Sequence, residues 1–190
     1  MLILAHTGIT LGAATLLAGA AQKRLSPPEK RTSWLAWLSR RLDIRILLIG
    51  SMLPDIIDKP LGLYFFADSL GSGRIYAHTL LFLVIISLAG FLLYRLRHAT
   101  WMLVLAAGTL SHLLLDEIWK SPGTLFWPAL GLEFERSDVA GWLSNIWEGL
   151  ASRPDIYIPE ALGFTVLVWS GLTLIFKKQA MDFLLRGKIL

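Results

Sequence analysis

With 190 residues, of which 55% are hydrophobic and only 17% charged, the chain is too apolar for an ordinary soluble domain, where about a quarter of residues carry charge. The absence of cysteine excludes disulfides and thiolate metal sites. The net charge of +4 comes from loops and tails beside apolar segments, a setting that points to anionic lipid rather than nucleic acid as the partner.

Residues 2–21 form the first apolar segment, long enough to span and broken only by His6, by Thr7, Thr10 and Thr15, and by small residues. Gly8, Gly12, Ala14 and Gly19 would let a neighbouring helix approach closely. The Ala18–Ala21 end resembles a signal-peptidase site, but no basic region precedes the segment, so a retained helix is expected. Residues 22–43 form a basic loop with Pro27-Pro28. Trp34, Leu35, Trp37, Leu38 and Leu42 lie against Arg40 and Arg41 at 33–43, the pattern of a short helix in the headgroup plane.

A second, shorter apolar segment at 44–57 ends in Asp55 and Asp58, and residues 59–72 are expected to turn at the interface. Residues 75–94 and 99–119 are two further spans. Residues 120–155 form a mixed loop with Trp127, Trp142 and Trp147, expected to hold short helices on the outer membrane face, and 156–176 is the last span. The tail at 179–190 is amphipathic. The expectation is therefore an all-α fold: a single membrane-embedded domain over 1–190, a polytopic bundle of about five transmembrane helices with short interfacial helices.

Lys and Arg orient such a bundle. Thirteen of the eighteen fall on one side and five on the other. This predicts an N-terminus outside and a C-terminus in the cytoplasm of a cell (inner) membrane. On that frame His6, Asp55, Asp58, His78, His112, Asp116 and Glu160 all reach one depth near the outer surface, whereas His98 falls on the cytoplasmic side. Ionisable residues inside a membrane are costly and mark function. His112 and Asp116 are four apart and share a helix face; Asp55 and Asp58 are three apart. His6, Asp55, His78, His112 and Asp116 form a nitrogen–oxygen set suited to one or two divalent ions: Zn, Mn or Fe. Taken singly each has a plainer reading. Asp55 or Asp58 could pair with Lys59, His112 with Asp116 could be a helix hydrogen bond, and Arg74 could anchor its helix at the headgroups. Glu160 reads equally as a ligand, a partner of a ligand or a helix-start acid.

These residues resemble the membrane-bound metal-dependent hydrolases, also described as LexA-binding, inner-membrane-associated hydrolases. The resemblance rests on His6, on Leu53-Pro-Asp-Ile-Ile-Asp-Lys-Pro60, on Arg74-Ile-Tyr-Ala-His-Thr-Leu80 and on His112-Leu-Leu-Leu-Asp116. Many members space the two acids two apart rather than three, and often carry His where this chain has Gly73. The family is distantly similar to zinc-dependent phospholipase C, which implies hydrolysis of a lipid or lipid-linked phosphoester at the outer face. In that scheme Asp58 or Glu160 is the general base and Arg74, one helical turn before His78, clamps a phosphate oxygen. Tyr64, Phe65, Phe66 and Trp127 line the acyl side. The alternatives are a scaffold that binds a partner through the basic loop, without catalysis, and a metal carrier.

Overall fold

The computed structural model describes residues 2–23, 41–67, 69, 71–135 and 141–187. Its long helices are α1 (Ile3–Lys23), α2 (Ile44–Pro60), α3 (Leu80–Arg97) and α4 (Trp101–Leu115). Short α5 (Pro122–Leu125) and α6 (Trp142–Ser152) precede the long α7 (Pro154–Phe176), and α8 (Ala180–Arg186) follows it. No strand occurs among the described residues. The interfacial helix expected at 33–43, and Arg24, Lys30, Arg31 and Arg40 of the basic loop, fall outside them except for residues 41–43.

The all-helical expectation holds, and every long apolar segment is a helix. Two of these, α3 and α7, are long and apolar enough to cross a membrane; Ile3–Gly19 and α4 are apolar but shorter.

Burial runs opposite to that of a soluble protein. Twelve described polar or charged residues are buried, as many as the buried hydrophobic ones. Meanwhile Val84, Ile85, Leu88, Phe91 and Leu92 of α3, and Leu162, Phe164, Trp169 and Leu172 of α7, stand exposed. An apolar patch of that extent needs a covering of equal polarity, and lipid supplies it.

With so small an apolar core, helices associate through close backbone approach. A Cβ on Gly8 would strike the carbonyl oxygen of Gly163, and one on Gly163 would strike that of Leu4. This seats α1 on α7. Likewise a Cβ on Gly50 would strike the carbonyl oxygen of Leu105 and one on Gly108 that of Leu47, which locks α2 to α4. Helix α3 packs on α4, and α1 also touches α2.

Three local departures from the sequence reading matter. The third long helix begins at Leu80, not at 75. Thr79 caps it, its Oγ1 accepting from Phe82 N at 3.0 Å, and Tyr76–His78 form a 3-10 turn ahead of it. His78 therefore stands before the helix, and Arg74 is not one helical turn away from it. The fourth helix stops at Leu115, where Asp116 is its C-cap and Glu117 turns to φ 50°. Residues 59–72 do turn, through a five-residue π-helical stretch, Leu61–Phe65, continuous with α2.

At the opposite end of α2, Asp43 is the N-cap, accepting from Arg45 N at 3.0 Å and from the Arg45 guanidinium, which holds its carboxyl below the usual range. The tail closes on this end. Arg45 Nη1 donates to Leu184 O at 2.5 Å and Ile44 N to Gly187 O at 3.0 Å. Gly187 has φ +66° with the Asp43 carboxylate where a Cβ would stand, so glycine is required there.

Candidate metal centre

Helix polarity gathers the polar residues. Helices α1 and α7 start, and α2 and α4 finish, at the end of the bundle where the 3-10 turn before α3 also lies. His6, in the first turn of α1, meets the last turn of α4: its ring stacks on that of His112 with centroids 4.1 Å apart. The 3-10 turn delivers His78 from the other side, its Nε2 3.2 Å from His112 Nε2. All three rings are fully buried.

The orientation of the two facing imidazoles is fixed from behind. His112 Nδ1 lies 2.7 Å from the Ser51 carbonyl oxygen, which only accepts, so Nδ1 carries the proton. His78 Nδ1 lies 2.7 Å from Asp58 Oδ2. That carboxylate also accepts Ile75 N at 2.8 Å, Ala77 N at 2.9 Å and His78 N at 3.1 Å. Asp58 is therefore an acceptor surrounded by donors, and His78 too is protonated on Nδ1. Each Nε2 then presents a lone pair to the other. Two lone pairs at 3.2 Å repel unless a proton or a metal ion lies between them, and the distance is close to the ~3.3 Å that separates two imidazole nitrogens on one tetrahedral Zn ion.

Two carboxylates aim into the same space. Asp55 Oδ1 stands 3.8 Å from His78 Nε2 and 3.9 Å from His112 Nε2. Asp116 Oδ1 stands 3.0 Å from His6 Nε2, and its Oδ2 3.9 Å from His78 Nε2. His6 Nδ1 has no hydrogen-bond partner among the described residues, and Nε2 is met by the 3.0 Å ion pair with Asp116. A buried ring nitrogen without a partner is rare unless something else binds it.

The donor atoms fall into two triads, His6, Asp55 and His112, and His78, His112 and Asp116, each with its atoms within 4.8 Å of one another. His112 has one free lone pair, because Nδ1 is taken by Ser51, so it cannot serve both triads at once. The donor set and the facing Nε2 atoms fit a divalent ion.

Of the residues singled out from the sequence, the five proposed ligands converge. Asp58 lies behind His78 rather than in the opening. Glu160 is placed differently again: its oxygens accept Leu2 N at 2.6 Å and Leu4 N at 3.1 Å, capping the first turn of α1 from α7. Arg74 Nη2 holds Asp116 Oδ2 at 2.8 Å. Tyr64 and Phe65 are exposed on the π-helical turn, whereas Trp127 stacks on Phe134 and meets Tyr76 edge-on.

Two contributors escaped the sequence reading as parts of the site. The Ser51 carbonyl left no trace, being backbone. Lys59, whose Nζ lies 2.6 Å from Asp55 Oδ2, was signalled by its four-residue spacing from Asp55.

No curated protein and no solved structure matches the chain. A model of the family described as YdjM inner membrane protein matches residues 1–181, and the chain belongs to this family of inner membrane proteins.

Proposed function

We propose that the protein is a membrane-embedded, metal-dependent hydrolase of a lipid or lipid-linked phosphoester. The observation that carries the metal centre is the pair of buried imidazoles, each held from behind and each pointing Nε2 at the other across 3.2 Å. His6, Asp55, His78, His112 and Asp116 hold the ion, and zinc suits this mixture of imidazole and carboxylate. A divalent ion so held supplies Lewis acidity and lowers the pKa of a bound water to about 7 in favourable cases.

The remaining residues are assigned by what they touch. Asp58 positions His78 and fixes its tautomer, the arrangement common around metal-bound imidazoles. Glu160 positions His6 by holding the start of α1. In this reading neither takes the proton from substrate: Asp58 stands behind His78, and Glu160 faces the first turn of α1. Five long helices cross the membrane in this reading. The site end faces outward, because thirteen of the eighteen Lys and Arg residues then lie on the cytoplasmic side. Headgroups sit at that depth, which makes a lipid phosphoester the accessible substrate.

The test is elemental analysis of protein purified without chelators, paired with release of headgroup from phospholipid vesicles. We expect zinc in wild-type protein, and loss of both zinc and hydrolysis in His112→Ala. Metal-free wild-type protein, or hydrolysis that survives His112→Ala, overturns the reading.

A further inference from the structure

The two carboxylates that face the imidazoles are each divided between two tasks. Asp55 turns Oδ1 inward and gives Oδ2 to Lys59 at 2.6 Å; Asp116 turns Oδ1 to His6 and gives Oδ2 to Arg74 at 2.8 Å. The acids are 8% and 5% exposed, the cations 29% and 43%. Lys59 and Arg74 therefore form the boundary between the buried cluster and the outside. They come from different elements yet stand together: a Cβ on Gly73, the residue before Arg74, would lie 3.9 Å from Lys59 Cγ.

Holding an acid uses only part of either cation. An ammonium has three N–H donors and a guanidinium five, in a fork that fits a tetrahedral oxyanion. The three cluster acids and these two cations carry a formal charge of −1, and one divalent ion turns that to +1. A mouth with two cations and spare donors, over a positively charged floor, selects an anion. A neutral ester or amide gains nothing from it.

We infer that Lys59 and Arg74 form a phosphate-recognition rim above the metal centre, so that the substrate is an anionic phosphoester. This rests on the hydrolase reading. It adds Lys59 as a specificity-determining residue and gives Arg74 two partners, Asp116 below and phosphate above. The exposed Tyr64 and Phe65, just beyond Lys59 on the π-helical turn, provide the apolar flank for the rest of an amphiphile.

The test is calorimetric titration of the zinc-loaded full chain in detergent, with inorganic phosphate and with short-chain phosphatidic acid as probes. Lys59→Met and Arg74→Met should each weaken phosphate binding about tenfold, the worth of a charge-assisted hydrogen bond, with zinc stoichiometry unchanged. Lys59→Arg and Arg74→Lys should restore binding to within roughly threefold. A double Met variant that keeps its zinc and binds phosphate as wild type does overturns the rim and leaves the hydrolase reading standing. Loss of zinc in the Met variants also overturns it, by showing that the cations only support the ligands. Wild-type protein that takes up no zinc removes both readings. Tighter binding of phosphatidic acid than of phosphate assigns the rim to a lipid headgroup and equal binding assigns it to free phosphate; either result supports an anion site.

Discussion

Asp58→Asn tests the site from behind. The Asp58 carboxylate is fully buried and accepts four N–H donors: Ile75 N, Ala77 N, His78 N and His78 Nδ1. Oδ2 takes most of them, and Oδ1 takes Ala77 N at 2.9 Å. An amide cannot satisfy this arrangement in either orientation. With its oxygen in the Oδ2 place, its NH2 points at the Ala77 amide; turned over, it sets NH2 against the donors around Oδ2. Hydrogen bonds to a charged acceptor contribute about 1.5–3 kcal/mol each and neutral ones about 0.5–1.5. Losing the charge over four donors costs roughly 3–5 kcal/mol, a fall in Tm of about 6–20 °C for a chain of this size. Because the His78 Nδ1 proton loses its anionic acceptor, zinc affinity should fall about 10- to 100-fold. Thermal unfolding in detergent measures the first effect and competition with a zinc chelator the second. Zinc affinity within about twofold of wild type would refute the claim that Asp58 orients a metal-binding imidazole. If Tm fell alone, Asp58 would be a clamp on the 3-10 turn and nothing more.

Gly108→Ala should destabilise by about 1–3 kcal/mol through overpacking, because its Cβ overlaps the Leu47 carbonyl oxygen. It should also weaken zinc binding in the same chelator competition, since separating α2 from α4 stretches the 2.7 Å contact between His112 and Ser51. Glu160→Ala should remove both caps on α1 and lower Tm by an amount equivalent to about 1–3 kcal/mol, with zinc binding weakened as in His6→Ala. Glu160→Gln, which keeps a carbonyl acceptor, should retain most of both; equal loss of hydrolysis in the Gln and Ala variants would instead mark Glu160 as a proton acceptor.

The sequence made the long apolar helices and the convergence of five candidate ligands legible because both follow from simple regularities. Apolar runs have countable lengths, and helices that alternate in direction bring their polar ends to the same side. His112 with Asp116, and Asp55 with Asp58, needed only helical spacing. The start of α3 was not legible, since nothing in Ile75-Tyr-Ala-His-Thr79 itself forbids a helix. What breaks the helix there is a distant residue, Asp58, which draws three backbone amides from the 75–78 stretch into one carboxylate. The role of Glu160 was hidden for a similar reason. Its partners are backbone amides of Leu2 and Leu4, more than 150 positions away, and backbone groups carry no sequence signature. Gly8 was readable as a point of close approach, but only the structure shows that its partner across the interface is Gly163.

The charges explain why the cluster is stable in an apolar setting and what it still needs. A buried carboxylate survives only when it is paired or richly hydrogen-bonded. Asp58 is matched by four N–H donors, Asp55 by Lys59 and Asp116 by Arg74. Asp55 and Asp116 are therefore answered by cations on the side away from the imidazoles, and Asp58 by the backbone of the 75–78 stretch together with His78 Nδ1. The lone pairs of His78 and His112, by contrast, are turned toward each other by hydrogen bonds on their far sides, and His6 Nδ1 has no hydrogen-bond partner among the described residues. A fold that needed only stability could replace these imidazoles by apolar side chains. Setting His78 and His112 with Nε2 facing Nε2 at 3.2 Å, both buried, is an arrangement that a bound cation would stabilise.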